Sequence, residues 1–140
     1  MRARAVRTAA PPPTGDTLRL AALFLTSGVL HLVKPQIFEP LVPRVLPVRR
    51  EIVLVSGVAE IACAVGLLAP RTRRVAGWAS AALLVGVLPG NVQMAVTAHR
   101  RAQRAPTDLS RQALRVATIA RLPLQVPLIR TALRAAGRRR

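Results

Sequence analysis

The chain has 140 residues, 51% of them hydrophobic, and a formal net charge of +17. That length holds one domain, and the charges stand in short clusters between long apolar blocks, which excludes a soluble basic domain and fits the cationic flanks of membrane spans. Aromatic residues at 2%, with no Tyr, leave no stacking platform, so nucleic acid is excluded as a partner, and a single cysteine forms no intrachain disulfide, CxxC pair or zinc site.

Residues 1–15 read as a disordered, basic, cytoplasmic tail that includes Pro11-Pro12-Pro13. The polar run Thr14-Gly15-Asp16-Thr17 offers caps for a first helix over 18–33. Lys34-Pro35 follows it rather than an Ala-x-Ala-like site, so the segment reads as an uncleaved transmembrane helix, not a signal peptide. It is short for a hydrocarbon core of about 30 Å, but Arg19 and Lys34 can snorkel at its ends. Ser27 and His31, four residues apart, share one face. Residues 34–50 then hold Pro35, Pro40, Pro43 and Pro47, interleaved with Phe38, Leu41, Val42, Val45 and Leu46. So many prolines forbid a spanning helix, and so many apolar residues do not suit a solvated loop. The stretch predicts an interfacial loop with a short helical turn, packed back over the bundle end.

The second helix is predicted over 51–69. It is a nearly unbroken apolar run with Glu60 near its middle. An ionised acid at bilayer depth costs about 2.5–3.5 kcal/mol or more, so it is retained only if neutral, paired or facing a polar cavity. Ser56 and Glu60 share a face, Ala59/Cys63 and Ala62/Gly66 have the small-xxx-small spacing of close helix contact, and Cys63 reads as a small buried hydrophobe. Pro70 and the basic turn Arg71–Arg74 follow. A third helix over 75–98 has Gly77, Ala81 and Val85 on one ridge, Trp78 as an interfacial anchor, and an interruption at Leu88-Pro89-Gly90-Asn91. After a charged loop over 99–111, the last block, 112–135, is the least apolar. Arg115 and Arg130 can snorkel to opposite interfaces, but Arg121 between them needs a partner or water, and Gln125 shares its face. The transmembrane domain is thus expected over 16–136, with a basic tail over 137–140. Arginine is richest at the termini and the 71–74 turn, which places both termini in the cytoplasm.

The polar positions predict one cluster between the helices: His31, Ser56, Glu60, Asn91, Arg121 and Gln125. In it Glu60 and Arg121 would neutralise each other, which brings the second and fourth helices together at that depth. One reading of the cluster is a hydrogen-bond network that fixes helix register. The other is an intramembrane pocket for a polar head group or a proton-passing site. One His and one Glu are too few ligands for a metal.

Ser27-Gly28-Val29-Leu30-His31 with Lys34-Pro35 and Phe38, Val42-Pro43, Leu46-Pro47, Ser56-Gly57-Val58-Ala59-Glu60, Leu67-Leu68-Ala69-Pro70 with Arg73, Pro89-Gly90-Asn91-Val92-Gln93-Met94 and Arg121-Leu122-Pro123-Leu124-Gln125 together resemble the DoxX family of small bacterial membrane proteins. The resemblance implies an all-α, four-helix bundle in the bacterial plasma membrane, associated with a membrane redox system. On that reading His31 or Asn91 would hydrogen-bond a quinone carbonyl and Glu60 would be a proton group. A soluble or membrane oxidoreductase subunit would be the partner, because the chain has no haem ligand pair, flavin motif, cysteine pair or self-contained catalytic motif. The alternatives are a small-molecule or proton carrier and a non-catalytic scaffold or assembly factor.

Overall fold

The computed structural model describes residues 11–42 and 46–137. Among them are five α-helices and no strand: α1 (Gly15–Val33), α2 (Arg49–Leu68), α3 (Arg73–Gly86), α4 (Leu88–Gln103) and α5 (Leu109–Gly137). The tails over 1–10 and 138–140, and Pro43 and Val45 of the Pro-rich loop, lie outside the described residues.

Helix α1 begins three residues earlier than its apolar pattern predicts. The Thr14 hydroxyl accepts from the Thr17 backbone N–H, and Asp16 stands in the first turn, where a carboxylate meets the positive end of the helix dipole. Between α1 and α2, Pro35–Ile37 and Glu39–Leu41 form two 3₁₀ turns that pack against α1, α2 and α4. Pro89 can occupy the first turn of a helix but not its interior. The rod Arg73–Gln103 is accordingly broken by a turn at Val87, and α4 restarts with Pro89 in its first turn.

Three helices are long and apolar enough to cross a membrane: Gly15–Val33, Arg49–Leu68 and the interrupted rod Arg73–Gln103. The expected fourth apolar span is not among them. At 29 residues α5 is about 43 Å long, but Arg111, Arg115, Arg121, Arg130 and Arg134 dilute its apolar face.

The helices form two antiparallel pairs, α1 with α2, and the α3–α4 rod with α5. The pairs meet at the end that holds the start of α1, the end of α2, the start of α3 and the end of α5. There Leu20, Phe24, Ala64, Leu67, Leu84 and Ala132 form a core in which small side chains let the backbones close up. Cys63 belongs to it as a buried free thiol. Arg73, which reads from the sequence as part of a basic turn, is 6% exposed. Its Nε–H donates to the Leu67 carbonyl at 2.9 Å and its two terminal nitrogens to Leu68 and Pro11 at 3.3 and 2.8 Å. The guanidinium thereby satisfies carbonyls that the last turn of α2 leaves open and tethers residue 11 to them.

Candidate functional site

The two helix pairs part at the opposite end, and the gap is a cavity of about 340 Å³. Its floor is the α1–α2 crossing. A Cβ on Gly28 would lie 2.7 Å from the Gly57 carbonyl oxygen, and one on Gly57 would lie 2.7 Å from the His31 Cβ. Only glycine at both positions permits so close a crossing. The next polar residue after each glycine is then carried to the same place: His31 Nδ1 lies 3.6 Å from Glu60 Oε2.

The His31 ring is fixed from two sides. Its Nδ1 is 2.7 Å from the Ser27 carbonyl oxygen, which can only accept, so Nδ1 carries the proton. Phe38, from the first 3₁₀ turn, stacks on the ring with centroids 3.8 Å apart and planes 17° from parallel. Glu60 is held less fully. Its side chain is 9% exposed, yet Oε2 has no hydrogen-bond partner among the described residues. Ser27, His31 and Arg121 are the groups close enough to act on its carboxylate.

Five of the six expected residues line the cavity: His31, Ser56, Glu60, Asn91 and Arg121. The Ser56 hydroxyl is engaged by the Val53 carbonyl of its own helix at 2.9 Å. Asn91 is half-buried at the α4 start, where the break at Val87 sets it on the wall. Gln125 is elsewhere. It is buried, and its Nε2 donates to the Leu84 carbonyl at 3.1 Å, in the last turn of α3 before the break. It therefore serves the interrupted rod rather than the cavity. The expected contact between the second helix and the last one is also absent. α2 packs on α1 and α3, α5 packs on α3, α4 and α1, and α2 and α5 share no extended contact. Glu60 and Arg121 consequently face each other across the cavity and form no ion pair, and Arg121 pairs with no other described acid. The remaining wall is apolar, with Leu41, Leu46, Ile52 and Met94 on it.

The glycine crossing and the Phe38 stack were not anticipated from the small-xxx-small spacings, which pointed to Ala59/Cys63 and Ala62/Gly66. A signal for the crossing exists: Ser27-Gly28-Val29-Leu30-His31 and Ser56-Gly57-Val58-Ala59-Glu60 are the same Ser-Gly-Val motif ending in a titratable residue. Two antiparallel helices that cross at the glycine must bring those ends together. Among the described residues no group of three metal-ligating side chains occurs.

No curated protein and no solved structure matches the chain. The resemblance to the DoxX family does not hold: the family model that matches is a different one, and it covers most of the stretch that carried the resemblance. Glycine crossings, proline breaks and isolated intramembrane polar residues are general solutions to packing helices in lipid, so their order along the chain can mimic another family's. The matching model covers residues 20–136, and the chain belongs to its family, the domain of unknown function DUF8561.

Proposed function

We propose that the protein crosses the membrane four times, by α1, α2, the α3–α4 rod and α5, and that its cavity holds a small lipid-soluble molecule by the molecule's polar end. The observation that carries this reading is Glu60 Oε2, buried and unpartnered on the wall of a cavity that Asn91 and Arg121 also line. A network that only sets helix register engages its donors and acceptors with one another, because unsatisfied ones are costly in a low-dielectric interior. Among the described residues Ser80 Oγ and Gln125 Oε1 are also buried without a partner, but neither residue lines the cavity, whereas Glu60 does. Apolar walls with a few convergent polar groups are the general form of a small-molecule site. For α5, Arg115 and Arg134 lie about 29 Å apart along the helix axis, which suits snorkelling to opposite sides of a core of about 30 Å.

Quinones, lipid-soluble molecules with polar carbonyls on an apolar body, are the first probes. Protein in lipid nanodiscs is unfolded thermally with and without ubiquinone and menaquinone analogues. A ligand at a hundred times its Kd raises the stability by about 2.7 kcal/mol. Gly86 lines the cavity, and a Cβ there would meet nothing within 4 Å. Gly86→Leu should therefore fill the space, abolish the ligand-induced shift and leave the protein folded. Protein that emerges from native membranes with nothing bound, and that no lipid-soluble probe stabilises, refutes the reading.

A further inference from the structure

The charges around the cavity narrow the ligand beyond lipid solubility, on the reading that the cavity is a binding site. Two groups on its walls are incompletely satisfied by the protein. Arg121, from α5, is a permanent cation that pairs with no described acid. Glu60, from α2, has an oxygen that neither donates nor accepts a hydrogen bond. A ligand that completes both must offer an anionic acceptor to the guanidinium and must not leave an uncompensated carboxylate behind.

We propose that the ligand is a lipophilic weak acid, whose acidic oxygen is received by Arg121 and whose proton passes to the His31–Glu60 pair. The charge count leads there. On this proposal Glu60 is ionised in the empty site, and Arg121, which lines the same cavity, is its counter-ion. An anion seated on Arg121 takes that compensation away, and a second negative charge at low dielectric is strongly disfavoured. Binding of the neutral acid resolves the conflict: the O–H bond of HA breaks, A⁻ stays on Arg121, and the His31–Glu60 pair goes from one net negative charge to none. No proton is gained or lost overall. The charged and titratable groups that act on Glu60 are His31 from α1 and Arg121 from α5, with Cys63 on its own helix. From α4 only uncharged residues line the cavity. The chemistry fits a carboxylic acid or an acidic enol on an apolar body.

The test uses the full chain in phosphatidylcholine nanodiscs, with empty nanodiscs as the partition control. Two matched probe pairs are titrated between pH 5 and 9: decanoic acid against methyl decanoate, and a 3-alkyl-2-hydroxynaphthoquinone against the same ring without the hydroxyl. The parent protein should prefer at least one acid over its neutral partner by tenfold or more, and which pair responds identifies the source of the acid. Arg121→Gln should bring that ratio to about one without weakening the neutral compound, while Arg121→Lys, which restores a cation, should recover the preference. Above the acid's own pKa, affinity for total acid should fall tenfold per pH unit in the parent and stay level in Glu60→Gln, which needs no proton. Neutral compounds that bind as well as the acids overturn this proposal and leave the binding reading standing. An acid preference without the pH slope overturns the proton transfer. Binding of none of the four overturns both.

Discussion

Gly57→Ala is the sharpest probe of the architecture, because one added carbon falls on the contact that builds the cavity floor. The new Cβ would sit 2.7 Å from the His31 Cβ, 3.0 Å from the Gly28 carbonyl oxygen and 3.3 Å from Leu32 Cδ2. The Leu32 methyl is the end of a flexible chain and can swing away. The other two are backbone or next to it, so α1 must retreat by about 1 Å to reach ordinary van der Waals distance. Overpacking of this kind costs about 1–3 kcal/mol. Alanine's better helix propensity returns up to about 1 kcal/mol. With the full propensity gain the net loss is therefore about 0–2 kcal/mol against the parent, and about 1–3 kcal/mol against a Gly→Ala change made in open space. Reversible unfolding in bicelles by steric trapping measures it directly. Gly86→Ala supplies the comparison, since a Cβ there meets nothing within 4 Å. That variant keeps only the propensity gain and should be as stable as the parent or up to about 1 kcal/mol more so. If Gly57→Ala matches Gly86→Ala, the helices do not cross at these glycines, and the 3.6 Å approach of His31 to Glu60 loses its cause.

Arg73→Gln should destabilise by about 2 kcal/mol in the same assay, since it strips charge-assisted hydrogen bonds from Leu67, Leu68 and Pro11. It should also open residues 11–14 to limited proteolysis, and Arg73→Lys should not restore protection, because one ammonium cannot reproduce the guanidinium fork. At the other end of the rod, hydrogen bonds from the Ser110 hydroxyl and the Arg111 backbone hold the exposed Asp108 carboxyl below its ordinary value of 3.8. A lowered folded value means that the cap supports α5 above the unfolded value and loses that support as pH falls through the folded one. Amide exchange at Ser110 and Arg111 should therefore be faster in Asp108→Ala than in the parent at pH 7, and the two proteins should converge once the pH falls below the carboxyl's lowered folded value. A gap that persists at low pH would mean that the carboxylate is not what caps the helix.

How much of this was legible from the residues depends on whether the signal was local. The helix starts at Thr14, the stop at Pro35 and the break ahead of Pro89 are written in backbone chemistry that acts within one turn, and each left a mark in the sequence. The five residues that line the cavity were found because polar side chains are few in the apolar blocks and group where the helices face one another. Their pairing was not legible. Glu60 and Arg121 are an obvious match by charge, but the distance between them is set by which helices touch, and here α2 and α5 stand apart. Gln125 was misassigned for a related reason. Its face is the same as Arg121's, yet one turn further along it meets the Leu84 carbonyl, and the demand of the broken rod could be known only once α3 was placed beside α5. Arg73 shows the reverse case, a residue whose composition says solvent and whose hydrogen bonds say core.

The cavity follows from two tight contacts that do not lie opposite each other. In the first helix pair the backbones touch at Gly28 and Gly57, next to His31 and Glu60. In the second they touch at Gly77, where a Cβ would come within 2.7 Å of the Ala132 carbonyl oxygen and 2.6 Å of the Ala136 nitrogen, at the far end of α5 from Arg121. The two pairs are locked together only on that second side, through the alanine-rich core and the approach of Gly66 to Ala76. Beyond the core, α2 and α5 share no extended contact among the described residues. The Pro-rich loop occupies the opening instead, with Phe38 on His31 and the Leu41 carbonyl beside Gly90. A polar cavity at that place is thus what remains when small residues draw the helices together at one end and prolines prevent them from closing at the other. On the proposed reading, burial in lipid makes its charged walls costly, and a ligand with an acidic head would offset that cost at both of them.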